Sequence, residues 1–229
     1  MDRKARAAMI GKILSKLFPE PKIPLDHTSP FTLLVAVVLS QNTTDKSVNA
    51  VTPKLFRIAD TPQKMASLSQ ATLEQIIRPI GLGHSKAKNL IATSRILVDQ
   101  YQGKIPATME ELEALPGVGH KTASVILAQV FSLPAFPVDT HIFRCARRWK
   151  LSSGKTRKAV EEDLKKLFPQ SEWGRRHLQI IYAGRTCCKA RPHDATKCPL
   201  CSAGNLQMGG VQIKGDIIAP IDVVWHTTR

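Results

Sequence analysis

Apolar residues recur at helical spacing through most of the chain, and this pattern limits the possible folds more than any other feature. Ser29-Pro30, a cap residue followed by proline, precedes the apolar run 31–39. A buried strand is the alternative there, because so short a run has no decisive period. Other predicted helix starts are Thr44-Asp45, Thr72, Ser85, Thr108 with Glu111 in a capping box, and Asp139. No alternating strand pattern precedes residue 205, so we predict an all-α fold.

The charge of the chain points to a polyanionic partner. Thirty-three Lys and Arg face 18 Asp and Glu, which leaves a net charge of +15. Nucleic acid is the first candidate for such a surplus, and a charge that serves only solubility is the alternative. No apolar run is long enough to span a membrane, which takes about 20 residues.

The N-terminal segment is basic and amphipathic but lacks the apolar stretch of a secretory signal. Its apolar residues lie on one helical face: Ile10, Ile13, Leu14 and Leu17. A first structural helix is therefore favoured over a mitochondrial transit peptide. We expect a cytoplasmic, monomeric protein.

A glycine turn between two short helices, in the segment LPGVGHKTA at 115–123, predicts a helix-hairpin-helix motif over about 109–128. Gly117 and Gly119 leave backbone N–H groups uncovered at a helix N-terminus, where a DNA phosphate would fit. A plain tight turn is the alternative. A nucleotide-binding P-loop is disfavoured, because His120 stands where that motif needs glycine.

Lys121 and Asp139 are the candidate catalytic pair. Lys121 lies in the first turn of the second hairpin helix, whose dipole disfavours an ammonium and so favours a nucleophilic amine. Attack of that amine on a sugar C1′ would expel the base and leave a Schiff base, from which β-elimination breaks the strand. Asp139 is expected to cap the next helix, and its ionised carboxylate could stabilise positive charge on the sugar.

The cysteines are clustered in a way that suggests metal rather than disulfides. Cys145 stands alone, whereas Cys187, Cys188, Cys198 and Cys201 fall within 15 residues. Adding His193 to Cys188, Cys198 and Cys201 gives a set that could hold zinc.

The motifs LPGVGHKTA and VDTHIFR together resemble the endonuclease III family of helix-hairpin-helix DNA glycosylases. The resemblance runs from about residue 5 to 201 and includes LLVAVVLSQNTTDKSVNAV and GLGHSKAKN. It implies a bifunctional glycosylase and abasic-site lyase of base excision repair, acting on oxidised pyrimidines in double-stranded DNA at the bacterial nucleoid. Lys121 is the position that separates such lyases from monofunctional relatives.

The resemblance also implies two helical domains with the catalytic cleft between them. One is a helical barrel over 22–133, and the other combines 1–21 with 134–205. The tail 206–229 is left unassigned. The candidate DNA-binding residues are Gly117, Gly119, His120, Asn42, Leu82, His84 and Lys86. In the basic segment Ser85-Lys-Ala-Lys, a phosphate contact is expected of Lys86 or Lys88.

Three of the residues brought in by this resemblance carry specific roles. Leu82 would be the wedge that enters the duplex when the nucleotide is flipped out, with a buried loop leucine as the alternative. Asn42 would fill the vacated stack in place of the family's glutamine. Asp45 would lie near the active site, although helix capping alone explains an aspartate there.

The cysteine region departs from the family pattern. That family holds a 4Fe-4S cluster through C-x6-C-x2-C-x5-C, which Cys188, Cys198 and Cys201 match only in part. The first gap is nine residues, and Gln207 stands at the fourth position. Cys187 or His193 could be the fourth ligand. No stable metal, an iron–sulfur cluster and zinc all stay open, and the chemistry of Lys121 needs none of them.

Overall fold

All regular secondary structure is helical in the computed structural model, which describes residues 1–190 and 194–205. The α-helices are α1 Arg3–Leu17, α2 Pro30–Leu39, α3 Asp45–Ile58, α4 Pro62–Ala66, α5 Gln70–Ile77, α6 Gly83–Tyr101, α7 Met109–Glu113, α8 His120–Val130, α9 Thr140–Arg148, α10 Arg157–Leu167, α11 Trp173–Arg185 and α12 Pro199–Asn205. Two 3-10 turns lie at Arg78–Ile80 and Gln170–Glu172. The predicted all-α class is confirmed, and the strand alternative for 31–39 is wrong.

Polar side chains cap the helices at most of the predicted starts. Ser29, Thr44, Thr108 and Asp139 each accept a hydrogen bond from a backbone N–H in the first turn that follows. These bonds satisfy donors that would otherwise have no partner.

Two predicted starts are wrong. Helix α5 begins at Gln70, two residues before Thr72, and Ser69 caps it. Helix α6 begins at Gly83, two residues before Ser85, and has no side-chain cap. Gly81 and Leu82 both have positive φ, 78° and 53°, and these left-handed residues turn the chain directly into the helix.

Helix α11 was not among the predicted helices. Three of its polar residues, Arg176, His177 and Gln179, are buried and satisfied by hydrogen bonds. Because buried polar residues look like surface residues in a sequence, the inner face of this helix was hidden.

Two separate apolar cores divide the described chain. One spans Leu25 to Ala135, and the other combines residues of α1 with Phe136 to Ala203. We propose that these are the cores of the two predicted domains, 22–133 and 1–21 with 134–205. The predicted tail 206–229 lies outside the described residues.

Within the described ranges, no helix combines the length and apolar character needed to cross a membrane.

Candidate active site

The glycine turn joins α7 to α8 and leaves the start of α8 uncapped. Gly117 has φ 79°, and a Cβ there would come within 2.9 Å of the Asn89 side chain. Gly119 is the N-cap residue of α8 and makes no side-chain cap. A Cβ on Gly119 would meet nothing within 4 Å, so the space beside this residue at the helix start is open. The helix start can therefore receive an anion.

Lys121 lies in the first turn of α8 and is half-buried. Burial lowers the pKa of its amine, while the charges of Asp139 and Asp45 partly oppose that shift. The guanidinium groups of Arg185 and Arg157 add to the lowering. A lysine in such surroundings reaches the neutral form more readily than one in water, as a nucleophile requires.

Asp139 faces this lysine from the start of α9. Its Oδ1 accepts the Ile142 N–H at 2.8 Å, so the predicted capping role is confirmed. The same carboxylate acts electrostatically on Lys121, His141 and His177. Capping and a catalytic role are therefore geometrically compatible in one residue.

His177 is a buried residue of this site that the sequence analysis missed. Its Nδ1 lies 3.0 Å from the Pro137 carbonyl oxygen, two residues before Asp139. Burial lowers the pKa of His177 to about 4, against the opposing charge of Asp139. The ring is thus neutral near pH 7 and donates from Nδ1 to the carbonyl. No sequence signal distinguishes such a histidine from an ordinary polar residue on a helix.

An ion pair crosses from the first core to the second beside Lys121. Asp45, the first residue of α3, pairs with Arg185 at the end of α11. Thr44 caps α3, so capping does not account for Asp45. The prediction that Asp45 lies near the active site is supported by its effect on the Lys121 pKa.

His120 is held by two carboxylates. Its Nδ1 lies 2.7 Å from Glu113 and its Nε2 lies 3.0 Å from Glu161, which belongs to α10. Partial burial opposes protonation of the ring, but the two carboxylates outweigh it and raise the pKa. His120 therefore links the hairpin to the second core, and its predicted contact with DNA stays a prediction.

The loop after α2 is tied to the hairpin. Gln41 donates from Nε2 to the Gly117 carbonyl at 2.8 Å and lies 3.3 Å from the Thr122 hydroxyl. The next residue, Asn42, is exposed and has φ 56°. The sequence analysis missed Gln41, although its bonds fix the loop that presents Asn42.

Leu82 is an exposed apolar residue on a strained turn. Its side chain is 64% exposed and its φ is 53°, so the alternative of a buried loop leucine is wrong. His84, two residues later, is also exposed, and its Nδ1 lies 2.9 Å from Glu74. The predicted DNA contacts of both residues stay predictions.

Lys86 does not face solvent, contrary to the expectation of a phosphate contact. It is buried, and its ammonium donates to the carbonyl oxygens of Leu39 at 2.9 Å and Gln41 at 2.8 Å. The Leu39 carbonyl is one that the end of α2 leaves unpaired, and Gln41 lies in the loop just after the helix. Lys88, two residues later, is exposed and is the lysine of this segment open to a ligand.

We expect Lys86→Met to destabilise the protein by about 1.5–3 kcal/mol, because two buried carbonyls would lose a charged donor. Lys88→Met on the same helix should change stability by less than about 0.5 kcal/mol. Urea unfolding of the two variants measures the difference. Equal stabilities would show that Lys86 does not hold the end of α2.

Three buried thiols meet in the second core. The sulfurs of Cys188, Cys198 and Cys201 all lie within 4.8 Å of one another. Hydrogen bonds from Cys145, Cys198 and Arg148 lower the pKa of the Cys188 thiol, against its burial. Such a cluster is compatible in place and chemistry with the family's iron–sulfur site.

Of the two predicted fourth ligands, Cys187 is not part of this set. Cys187 is half-buried and donates from Sγ to the Ala183 carbonyl at 3.6 Å. His193 lies outside the described residues. Within the described chain, three thiols therefore stand where a 4Fe-4S cluster takes four.

Comparison with known proteins places this geometry in one family. Residues 35–170 match the family described as HhH-GPD superfamily base excision DNA repair protein. Endonuclease III of Rickettsia conorii is 44% identical over 191 residues, 83% of this chain and 91% of the relative. Endonuclease III of Escherichia coli K12 is 43% identical over 195 residues, 85% of this chain and 92% of that protein.

Solved structures agree with the sequence relatives. A non-covalent endonuclease III–DNA complex matches with a TM-score of 0.83 at 38% identity, covering 89% of this chain and 97% of the other. A trapped endonuclease III–DNA covalent intermediate matches with the same TM-score and identity, covering 87% and 94%. The chain therefore belongs to the HhH-GPD superfamily of base excision DNA repair proteins.

Proposed function

We propose that Lys121 is the nucleophile of a bifunctional DNA glycosylase and abasic-site lyase of the endonuclease III type. The observation that carries this is the half-buried Lys121 amine, with its lowered pKa, facing the Asp139 carboxylate beside an open helix start. That one of the matching structures is a trapped covalent intermediate of endonuclease III with DNA supports a covalent mechanism.

The reaction begins when the neutral Lys121 amine attacks C1′ of the damaged nucleotide. The C1′–base bond breaks, and the base leaves with its bonding electrons and takes up a proton. The attached amine then loses a proton, and its nitrogen lone pair breaks the C1′–O4′ bond while O4′ takes up a proton. The opened sugar is now joined to Nζ as a Schiff base, which acidifies the C2′ proton. Loss of that proton expels the 3′ phosphate by β-elimination, and water releases Lys121.

Asp139 stabilises the positive charge that builds up on the sugar as the base departs. Its bond from the Ile142 N–H keeps the carboxylate in place. His177 holds the Pro137 carbonyl and is thus a positioning residue for Asp139.

Two loops and the hairpin would bind the DNA. The amides at Gly117 and Gly119, with His120, would hold a phosphate. Exposed Leu82 would enter the duplex as the wedge, with His84 beside it, and Asn42 would fill the gap left by the flipped nucleotide. The substrate class follows the resemblance: oxidised pyrimidines and abasic sites in double-stranded DNA. A substrate of double-stranded DNA supports a location in the bacterial cytoplasm, at the nucleoid.

Borohydride trapping on a panel of lesion-bearing duplexes tests the proposal. Borohydride reduces a Schiff base to a permanent amine, so a lyase becomes covalently attached to its substrate. We expect attachment to duplexes with an oxidised pyrimidine or an abasic site. Base release without attachment would indicate a monofunctional glycosylase, and binding without any reaction would indicate a DNA-binding module.

We expect Lys88→Ala to lower the salt dependence of DNA binding by about one unit of slope in log K against log salt. Exposed Lys88 is free to pair with a phosphate and release a counterion. Lys12→Ala is the matched control, because Lys12 is exposed on α1, which packs on α10, α11 and α12. Identical slopes for both variants would show that Lys88 does not contact a phosphate.

A further inference from the structure

The spacing of the three clustered sulfurs differs from what an iron–sulfur cube needs. In a 4Fe-4S cluster each cysteine binds a different iron, and the sulfurs point outward from separate corners. Two sulfurs on a single ion, by contrast, cannot lie farther apart than two metal–sulfur bonds, about 4.6 Å. Here Cys188 and Cys201 have their sulfurs 3.5 Å apart, and all three sulfurs lie within 4.8 Å of one another.

One tetrahedral ion fits this spacing. With zinc–sulfur bonds of about 2.3 Å, neighbouring corners of a tetrahedron are about 3.8 Å apart. The 3.5 Å between the Cys188 and Cys201 sulfurs is close to this spacing, and the Cys198 sulfur lies within 4.8 Å of both. The pair Cys198 and Cys201 also has the C-x2-C spacing common in structural zinc sites.

The surroundings of the sulfurs suit thiolate ligands. Arg148 donates from a guanidinium nitrogen to the Cys188 sulfur at 3.4 Å, as groups around metal-bound thiolates do. The three cysteines are each at most 4% exposed. Three buried thiolates so close together would repel one another without a cation. A bound cation would compensate their charge.

We propose that Cys188, Cys198 and Cys201 supply three of the four ligands of one structural zinc ion, in place of the iron–sulfur cluster of the family. The ion would tie α12, whose neighbour is α1, to the segment after α11. The ion would stabilise this part of the second core and would take no part in the reaction of Lys121.

The full-length protein, expressed with both zinc and iron supplied and purified under reducing conditions, tests the proposal by metal analysis. We expect about one zinc per chain and substoichiometric iron or none. Cys198→Ala and Cys201→Ala should lose the zinc. Cys145→Ala is the matched control: it removes a buried sulfur that bonds Cys188 but lies outside the set of three, and it should keep the zinc.

A cobalt titration uses only the wild-type chain, so its result does not depend on whether the variants fold. The wild-type chain, stripped of metal and reduced, should bind one equivalent of Co²⁺ with the intense absorption of a tetrahedral thiolate site. Zinc should then displace the cobalt and raise the melting temperature. Four irons with matching sulfide per chain would overturn the proposal in favour of the cluster. Absence of any saturable metal would overturn it in favour of packed thiols.

Discussion

Lys121→Gln should abolish both base release and strand nicking while the protein still folds and binds damaged DNA. The amine starts both steps, so no part of the reaction survives its loss. We expect a decrease on the order of 10⁴-fold or more, the size typical of losing an enzyme's nucleophile. Folding should be unaffected, because burial already disfavours the charge that the substitution removes.

Single-turnover assays on an abasic duplex and on a duplex with an oxidised pyrimidine measure the two steps separately. Lys12→Gln, the same change at an exposed position of α1, is the control. Base release at the normal rate by Lys121→Gln, with nicking lost, would show that water attacks the sugar and that Lys121 serves only the lyase step.

The pH dependence of trapping follows from the Lys121 surroundings. Burial lowers the pKa of this amine below its usual value of about 10.4, so its neutral fraction becomes large at a lower pH than in water. The trapping rate should therefore rise with pH and level off once the pH passes that lowered pKa. A rate still rising steeply at pH values near that of free lysine would contradict the lowered pKa.

The position of the reactive residues was predictable because local sequence fixes it. Gly117 and Gly119 form the turn between two helices. Lys121 therefore lies in the first turn of the second helix, independently of the rest of the fold. Asp139 was likewise predictable as a helix cap, since capping depends on residues three apart. Short-range rules were enough for both.

The residues that surround this pair were not predictable from local rules. His177 reaches Pro137 across 40 residues, and Arg185 reaches Asp45 across 140. Local rules also gave a wrong prediction for Lys86. Its basic segment suggested a phosphate contact, but its ammonium donates hydrogen bonds to carbonyls at and just after the end of α2. Only the tertiary packing decides which of these charged side chains face inward.

Asp139→Asn should separate capping from catalysis. Asparagine caps a helix about as well as aspartate, so the melting temperature should change little. The rate of base release should fall by about 10²- to 10³-fold, the range typical of losing one electrostatic partner of a transition state. Asp2→Asn is the matched control, because Asp2 caps α1 with a bond from the Ala5 N–H.

The same variant also makes a prediction about pH that a purely structural role would not produce. The Asp139 carboxylate raises the pKa of Lys121, so its removal should lower that pKa further. The midpoint of the pH–rate profile should then move to lower pH in Asp139→Asn, even as the maximum rate falls. Asp2→Asn should leave both the maximum and the midpoint unchanged. If Asp139→Asn instead unfolds while each folded molecule keeps the normal rate and midpoint, Asp139 is a cap and the charge on the sugar is stabilised by another group.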